Sequence, residues 1–532
     1  MQARSKALVV LGALLFAGAA HAGDFVDTRL NFNITDENVL VKPGETNPSV
    51  PGLRIGRPNS LGVLFFDNYD TRYSGFENLT HLVVFKSMEN AHVTAEGAYV
   101  LRLLQFTDVN LSSIDDGSYL RVQFWFDGSR KNKTNLALTL FPLSADRMRL
   151  GFSYRLTWGG SPIFFKLNPD IPVGAAAFVT NTAPAPGLKL QLSGERYYVY
   201  AGLKTSTLLN RNPSVNEQQA IYGVLGGFGV DLWKEHIRLE GGVGFFDRGV
   251  NPLFFGTSVG AQGQTFTEYP VQTYGGSMQL SFFHKMAPTT SLDLRLYRND
   301  PNSAERYFVR PAYSPEFKFM VSTEFTVAGT TLQDVDKANS TRTQLAVAGD
   351  LNMRLMKGNL RLKADIATRS LAFILLNQPS LVPFQDFPKG ARVTPEIFGA
   401  AGFDYFLERI GMTLGVTIGV QNPATFTPPP GRTLSGPITG GTGGSLNTTA
   451  TIVVRNEGDV SILPEGKSEL PMVAAKFEVR EDFLEWFGAI IQILYQYDAN
   501  QTRLIKAPDG TSERIFGKPH QLGFNITLSA KY

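Results

Sequence analysis

Apolar and polar residues alternate with a period of two along much of this chain. In RMRLGFSYRLTW, covering residues 147–158, every second residue is apolar or aromatic and three arginines stand between them. The same pattern occurs in LDLRLY (292–297), QLAVAGDLNMRL (344–355), LRLKADI (360–366), MTLGVTIGV (412–420) and LGFNITLSAKY (522–532). Because side chains alternate across a β-strand, each stretch is predicted to be a strand with one apolar and one polar face.

The connections between these strands alternate between short turns and long segments rich in polar residues, Gly and Pro. The long segments cover 159–186, 247–270, 370–395 and 422–471, and the last contains TPPPGRTLSGPITGGTGGS. This alternation fails around 299–341. Short turns at one rim and long loops at the other are typical of a transmembrane β-barrel.

The pattern predicts an all-β protein with a single transmembrane, antiparallel, up-and-down β-barrel. About 18 strands are expected, within a range of roughly 16 to 22, because barrels of this kind have an even strand number. Residues 119–532 form the main barrel, and the less regular part 23–118 supplies first strands, a lumen element or both. By its length, loop 422–471 is the candidate for a constriction or lid. Trp158, Trp233 and Trp486 are predicted near the membrane interface, where amphipathic rings gather.

The first 22 residues are predicted to be a secretory signal peptide. Arg4 and Lys6 precede an apolar run that ends in Ala-His-Ala, the arrangement of a charged region, an apolar region and a cleavage site. No later apolar run is long enough for a membrane helix. The chain has no cysteine, which excludes a disulfide scaffold and zinc–thiolate sites. Its formal charge of +3 gives no indication of a nucleic-acid partner.

Catalysis finds little support in the sequence. The histidines are dispersed, none has a metal-ligand spacing, and no G-x-S-x-G motif is present. We therefore predict no catalytic residue, no metal site and no cofactor, and we expect that the protein is not an enzyme.

The signal peptide, the alternating strands, the absent cysteines and the last stretch resemble the bacterial outer-membrane β-barrel superfamily, without indicating one porin or transporter family. The resemblance implies a Gram-negative outer-membrane location and contact with membrane lipid. It also implies that the barrel-assembly machinery reads the last strand as an insertion signal, carried by Phe524, Ile526, Leu528 and the terminal aromatic Tyr532.

The polar strand faces, which are predicted to line the lumen, carry more basic than acidic residues. The six acids are Glu240, Asp293, Glu324, Asp350, Asp365 and Glu478. This imbalance predicts a mild preference for anions, unless cross-strand ion pairs neutralise the wall. The pore-lining candidates are Arg149, Arg155, Lys189, Lys204, Arg238, Arg295, Lys318, Arg354, Arg361, Lys363, Arg369, Lys476 and Arg480.

A glycine cluster falls on the same polar faces. It is predicted to make room for the lumen or for a folded-in loop, whereas single glycines more often relieve strain where a sheet curves. The cluster consists of Gly223, Gly227, Gly229, Gly242 and Gly244.

These features predict a porin-like channel for passive or facilitated passage of small polar solutes, with anions favoured, or for export of a polar polymer. The alternative is a non-conducting surface platform for adhesion or complex assembly, with a plugged lumen. The two hypotheses differ in whether residues 24–118 or a long loop fill the barrel. A large soluble β-protein would share the alternation, but not the segregation of loops by length.

Overall fold

The computed structural model describes most of the chain, with gaps at both ends and in several connections. The described residues are 26–41, 53–55, 80–107, 110–115, 118–128, 133–143, 148–159, 182–183, 186–209, 218–233, 236–250, 270–286, 314–334, 341–377, 389–430, 433–434, 446–447, 450–455, 459–484, 487–506 and 512–531. The predicted signal peptide, the stretch 292–297 with Arg295, Trp486 and Tyr532 lie outside them. In the described part, no helix is long and apolar enough to span a membrane.

Eighteen antiparallel strands form the wall of one large sheet, and the short strands Arg54–Ile55, Asn110–Asp115 and Thr182–Ala183 pair with it. In chain order they are β1 (Val26–Asp36), β2 (Thr80–Glu89), β3 (Val93–Thr107), β4 (Tyr119–Trp125), β5 (Asn135–Phe141), β6 (Gly187–Ser193), β7 (Tyr197–Leu209), β8 (Gln218–Leu232), β9 (Ile237–Val250), β10 (Pro270–His284), β11 (Ser314–Gln333), β12 (Thr341–Gly358), β13 (Leu360–Arg369), β14 (Glu396–Leu407), β15 (Met412–Asn422), β16 (Met472–Leu484), β17 (Phe487–Tyr497) and β18 (His520–Lys531).

Each strand pairs with the next, and the sheet closes on itself. β1 pairs on one side with β2, where Val26 lies opposite Val84. On its other side β1 pairs with β18, from Arg29 opposite Lys531 to Asp36 opposite Phe524. The result is an up-and-down barrel of eighteen strands, which confirms the predicted fold class and strand number.

The strand faces separate as the alternation predicts. On β15, Thr413, Thr417 and Gln421 are buried, whereas Ile418 and Val420 are 53% and 46% exposed. Most other described strands repeat this arrangement, although some large apolar side chains of the wall, such as Phe85, Phe141 and Phe246, are buried inside the barrel. An apolar exterior around a polar interior places the barrel in a membrane.

Polar side chains at the closing seam link the last strands to the first. Thr527 Oγ1 donates to Asn33 Oδ1 at 2.7 Å. Asn525 Nδ2 donates to Thr527 Oγ1 and to Gln492 Oε1, and Gln492 Nε2 donates to Glu478 Oε2 at 2.6 Å. Because a one-residue slip would turn every one of these side chains outward, the chain of bonds fixes the register of closure.

The loops also follow the predicted segregation. The turns β2–β3, β6–β7, β8–β9, β12–β13, β14–β15 and β16–β17 are short and lie at one end of the barrel. The connection between β10 and β11, residues 285–313, is the long exception at that end, where the sequence alternation also fails. At the long-loop end, the helix α1 (Leu371–Asn377) follows β13. A separate four-stranded sheet is built there from Arg392–Thr394, Ala424–Thr427, Ile452–Arg455 and Asp459–Ile462.

One predicted strand is wrong. Residues 148–158 do not belong to the barrel wall, although they alternate like the wall strands. They contain only an isolated bridge and a short 3₁₀ turn, Tyr154–Leu156. Trp158, predicted at the membrane interface, is fully buried instead. The apolar face of this stretch packs inside the barrel, because alternation records that one face is apolar but not whether lipid or protein covers it.

Candidate functional site

A folded-in piece of the connection between β5 and β6 occupies the lumen. This inserted segment, Met148–Gly159, doubles back on itself, since the backbone N–H groups of Leu150 and Trp158 each donate to the other's carbonyl, at 3.0 and 2.8 Å. Gly151, with φ +94°, allows the tight return, where a Cβ would lie 2.6 Å from the Leu156 carbonyl oxygen. The inserted segment is thus a compact loop held within the barrel.

Apolar side chains of the inserted segment pack on glycines of the wall. Leu150 is 1% exposed, and a Cβ built on Gly242 would lie only 2.8 Å from its Cδ2. Gly244 on the same strand likewise faces Leu150. The predicted room-making role of this cluster is confirmed here, while Gly223, Gly227 and Gly229 make room for the rings of Phe246, Tyr200 and Tyr198.

Two ionisable wall residues hold the backbone of the inserted segment. On β11, the buried Glu324 carboxylate accepts hydrogen bonds from the backbone N–H groups of Phe152 and Ser153, at 3.0 and 2.7 Å. On β7, the Lys204 ammonium donates to the carbonyl oxygens of Met148 and Gly159, at 3.1 and 3.0 Å. Hydrogen bonds from a charged group such as the Lys204 ammonium are roughly twice as strong as neutral ones. The barrel wall therefore holds the turn of the inserted segment at Phe152 and Ser153, and its two ends at Met148 and Gly159.

A third anchor joins the inserted segment to β13 and β14. Arg155 Nη1 lies 3.5 Å from Glu396 Oε1, and its guanidinium carbon lies 3.7 Å from the centre of the Phe398 ring. Arg369 forms a two-pronged pair with the same carboxylate, at 2.9 and 3.0 Å. Gln421 Nε2 also donates to Glu396. Glu396, which is fully buried, therefore links three strands and the segment.

Apolar side chains extend this packing across the lumen. Trp158 meets the Phe246 ring edge-on at 5.4 Å, and its Nε1 donates to Ser277 Oγ of β10 at 3.2 Å. One continuous buried cluster joins the segment to β2–β5, to β7–β9, to β11–β12 and to Phe373 of α1. Ser370 begins this helix by accepting from the backbone N–H of Phe373 at 3.2 Å. The segment and α1 together narrow the interior.

The structure places twelve of the thirteen pore-lining candidates. Those on wall strands all lie on inward faces, whereas Arg149 and Arg155 lie on the inserted segment, which corrects their assignment to a strand. Ion pairs with carboxylates involve Arg155, Arg238, Arg361, Arg369, Lys476 and Arg480. The pairs of Arg238, Arg361 and Arg369 are cross-strand, the alternative considered from the sequence, whereas Lys476 and Arg480 pair with Glu478 on their own strand. Ion pairing therefore offsets half of the twelve described basic candidates.

Three acids that matter here were missed in the sequence. Asp231 pairs with Arg238 through two contacts, at 2.5 and 2.8 Å, and Asp404 pairs with Arg361 at 2.6 Å. Glu396 is the third. In EIFGAAGFDYFL, residues 396–407, Glu396 and Asp404 stand an even number of residues apart and share the inward face. This even spacing is the sequence signal that places Glu396 and Asp404 together on the inward face of β14.

A cavity of about 330 Å³ lies at the short-turn end, against the inner faces of β4–β9. Its lining holds the basic residues Arg121, Lys189, Arg196 and Arg238, and the acidic residues Glu195 and Asp231. The Lys189 ammonium lies 5.6 Å from the centre of the Tyr200 ring. Four basic against two acidic side chains give the cavity a positive balance, although Glu96, outside the lining, pairs with Arg121.

The comparisons with known proteins give no family. No protein-family model and no curated protein matches the chain. Solved structures similar to it include OccK3 (OpdO) of Pseudomonas aeruginosa, with 8% identity, coverage of 96% of this chain and 95% of that one, and a TM-score of 0.40. OmpT, an outer membrane protein of Vibrio cholerae, has 8% identity, coverage of 95% and 96%, and a TM-score of 0.35. At these scores the likeness supports no functional assignment.

The assignment of the fold rests on the observed strand pairing and on the contrast between the apolar outer face and the polar inner face of the barrel wall. A closed, even-numbered, antiparallel barrel with an apolar exterior and rings at its rims is the architecture of outer-membrane β-barrels. The chain therefore folds as a membrane-spanning β-barrel with this architecture, and membrane lipid surrounds its exterior.

Proposed function

We propose that the protein is an outer-membrane channel for small polar solutes, with a preference for anions, whose passage is set by the inserted segment. The observation that carries this proposal is the positively balanced cavity, which lies against the polar inner faces of β4–β9. Charged groups around a narrow pore set its ion preference. The proposal involves no covalent chemistry, and passage of a polar polymer would need the segment to move.

The pairing of wall charges sets the expected strength of this preference. Arg238 and Arg121 are held by Asp231 and Glu96, so they contribute less field than their number suggests. The Lys189 ammonium lies 5.6 Å from the centre of the Tyr200 ring and adds one positive charge to the lining. We therefore expect a mild preference for anions rather than strict selectivity.

A second candidate function is a plugged surface platform, in which the lumen conducts nothing and the long loops bind a partner. The apolar cluster that joins the inserted segment to opposite parts of the wall favours it. For either function, we predict that the barrel-assembly machinery inserts the protein by recognising its last strand. The residues of this signal are Phe524, Ile526, Leu528 and Tyr532.

Planar-bilayer recording separates the two candidates. Folded protein should give small, stable conductance steps, and under a potassium chloride gradient the reversal potential should have the sign of chloride preference. Lys189→Gln should reduce that preference because it removes one positive charge from the cavity. The matched control is Lys357→Gln, at an exposed position by the β12–β13 turn, which should leave it unchanged. A reversal potential of cation sign would contradict the anion preference, and silence from folded barrels would favour the platform.

A further inference from the structure

The separate four-stranded sheet at the long-loop end packs against the helix α1. We call it the outer sheet, and its strands are Arg392–Thr394, Ala424–Thr427, Ile452–Arg455 and Asp459–Ile462. The last three of these strands lie in the connection 422–471, the predicted candidate for a constriction or lid. Phe426 pairs on one side with Val393 and on the other with Ile452, so the outer sheet is a continuous unit.

The two faces of the outer sheet differ. On one face, apolar side chains form a buried cluster with Leu371 and Ile374 of α1. The sheet residues of this cluster are Ala424, Phe426, Ile452, Val454 and Ile462. Because side chains alternate across a strand, Val453 points to the opposite face, together with Thr425 and Ser461, which lie opposite it in the register. The outer sheet therefore packs on α1 with its apolar face.

The other side of α1 belongs to the cluster that surrounds the inserted segment. Its side chains in that cluster are Ala372, Phe373 and Leu376, and those of the segment are Met148, Leu150, Leu156 and Trp158. α1 has only seven residues, and so short a helix has little stability of its own. Because α1 depends on packing against both partners, the outer sheet supports the helix that helps to enclose the inserted segment.

The residues before α1 fix its start to the wall and to the inserted segment. Ser370 N donates to the Val347 carbonyl at 2.8 Å, and Val347 N donates to Ser370 Oγ at 3.0 Å. Arg369 pairs with Glu396, and its Nη1 lies 3.5 Å from the carbonyl oxygen of Arg155. The start of α1 is thus held from β12 and β14, whereas its sheet-facing side is held by the outer sheet.

Prolines stand where the outer sheet joins the barrel wall. Pro395 separates Arg392–Thr394 from β14, and Pro423 separates β15 from Ala424–Thr427. Because proline cannot donate to a β-ladder, the pairing of the wall ends at these junctions. A few residues at the ends of elements are enough to absorb the movement of one packed unit against another. The junctions therefore allow the outer sheet to tilt while β14 and β15 stay in the wall.

We propose that the outer sheet and α1 form a lid that holds the inserted segment in the lumen. When the outer sheet tilts away, Leu371 and Ile374 lose their apolar cover, α1 loosens, and the cluster around the segment loses Phe373. Exposure of apolar surface to water opposes this movement, so the lid stays closed until binding at the long-loop end favours the open arrangement. The effect of the lid on passage rests on the proposed channel function, whereas its hold on the segment does not.

Thiol accessibility in the inserted segment tests the lid. The chain has no cysteine, so Ser153→Cys places a single thiol in the segment, at a position that is 7% exposed. In this background, Val454→Ala should raise the rate of modification by a water-soluble methanethiosulfonate about tenfold, because it leaves a cavity between the outer sheet and α1. The rate is measured on folded protein in lipid vesicles.

The matched control is Val453→Ala in the same background. It removes the same atoms from the adjacent residue, which is equally buried but lies on the opposite face of the outer sheet. Its rate should stay within about twofold of that of Ser153→Cys alone, since the face toward α1 is intact. A rate for Val454→Ala no higher than that for Val453→Ala, in protein with the heat-modifiable migration of a folded barrel, would overturn the proposal.

Two additions keep the outcomes distinct. Should Val454→Ala not fold, Ile374→Val on the sheet-facing side of α1 carries the same test, with a smaller expected rise in rate. Planar-bilayer conductance of the Val454→Ala variant tests the channel separately. Faster thiol modification without a higher conductance would support the lid and count against the proposed channel function.

Discussion

Replacing Met148–Gly159 with a short glycine–serine linker should raise the single-channel conductance several-fold, or create conductance if the wild-type protein is silent. The segment brings four bulky apolar side chains into the lumen, Met148, Leu150, Leu156 and Trp158, each at most 1% exposed. Its removal leaves the glycines of β9 facing open space. Planar-bilayer recording at fixed salt measures the change.

The control removes a different part of the long-loop end. The hairpin formed by Thr502–Lys506 and Ser512–Phe516 can be replaced by the same linker, and the conductance of this variant should stay near that of wild type. An unchanged conductance after removal of the inserted segment, in protein that migrates as a folded barrel, would show that this segment is not what limits passage.

Side chains of the barrel wall hold the inserted segment by hydrogen bonds to the backbone of that segment. Glu324 receives two N–H groups at the turn, and Lys204 gives hydrogen bonds to two carbonyl groups at the base. Unpaired backbone groups inside a barrel are costly, so these two side chains offset a cost that any folded-in loop carries. Among the side chains of the segment, Arg155 and Trp158 add polar contacts to Glu396 and Ser277. The position of the constriction is thus fixed largely by wall residues.

Sequence alternation predicted the wall because lipid and lumen impose a period of two on every strand. β15 and β18 show this, with Thr417 and Asn525 buried and Ile418 and Leu528 exposed. The same period misled the interpretation of residues 148–158, whose apolar face lies against Gly242 and Phe246 rather than lipid. Two surfaces of equal polarity give equal patterns, so only tertiary contacts distinguish them.

The charge of the lumen was harder to predict than its walls. Each basic candidate was assigned a face from its own strand, but its neutralisation depends on the register of the neighbouring strand. Arg361 lies opposite Asp404 only because β13 and β14 pair in that register. The glycine cluster was easier to predict, because the alternation along a single strand already places Gly242 and Gly244 on the inward face.

Changing Glu396 to leucine should destabilise the folded barrel by about 3–5 kcal/mol, the usual cost of leaving a buried charge without its partner. Glu396 is 0% exposed, and the two guanidinium groups it faces belong to residues that are 4% and 6% exposed, Arg369 and Arg155. Leucine would take away the shared carboxylate and the acceptor of Gln421 Nε2. Equilibrium urea titration in lipid vesicles measures the free energy of unfolding.

Two further variants show whether this loss comes from the unpaired cations. Glu316→Gln, at the exposed pair with Lys285, should change the free energy of unfolding by about 1 kcal/mol at most. The triple variant R155M/R369M/E396L removes all three charges and should recover most of the stability, because apolar groups of similar volume often replace a buried ion cluster without loss. If Glu396→Leu alone proved neutral, the carboxylate would not be balancing these arginines, and the anchor of the inserted segment would rest on Glu324 and Lys204.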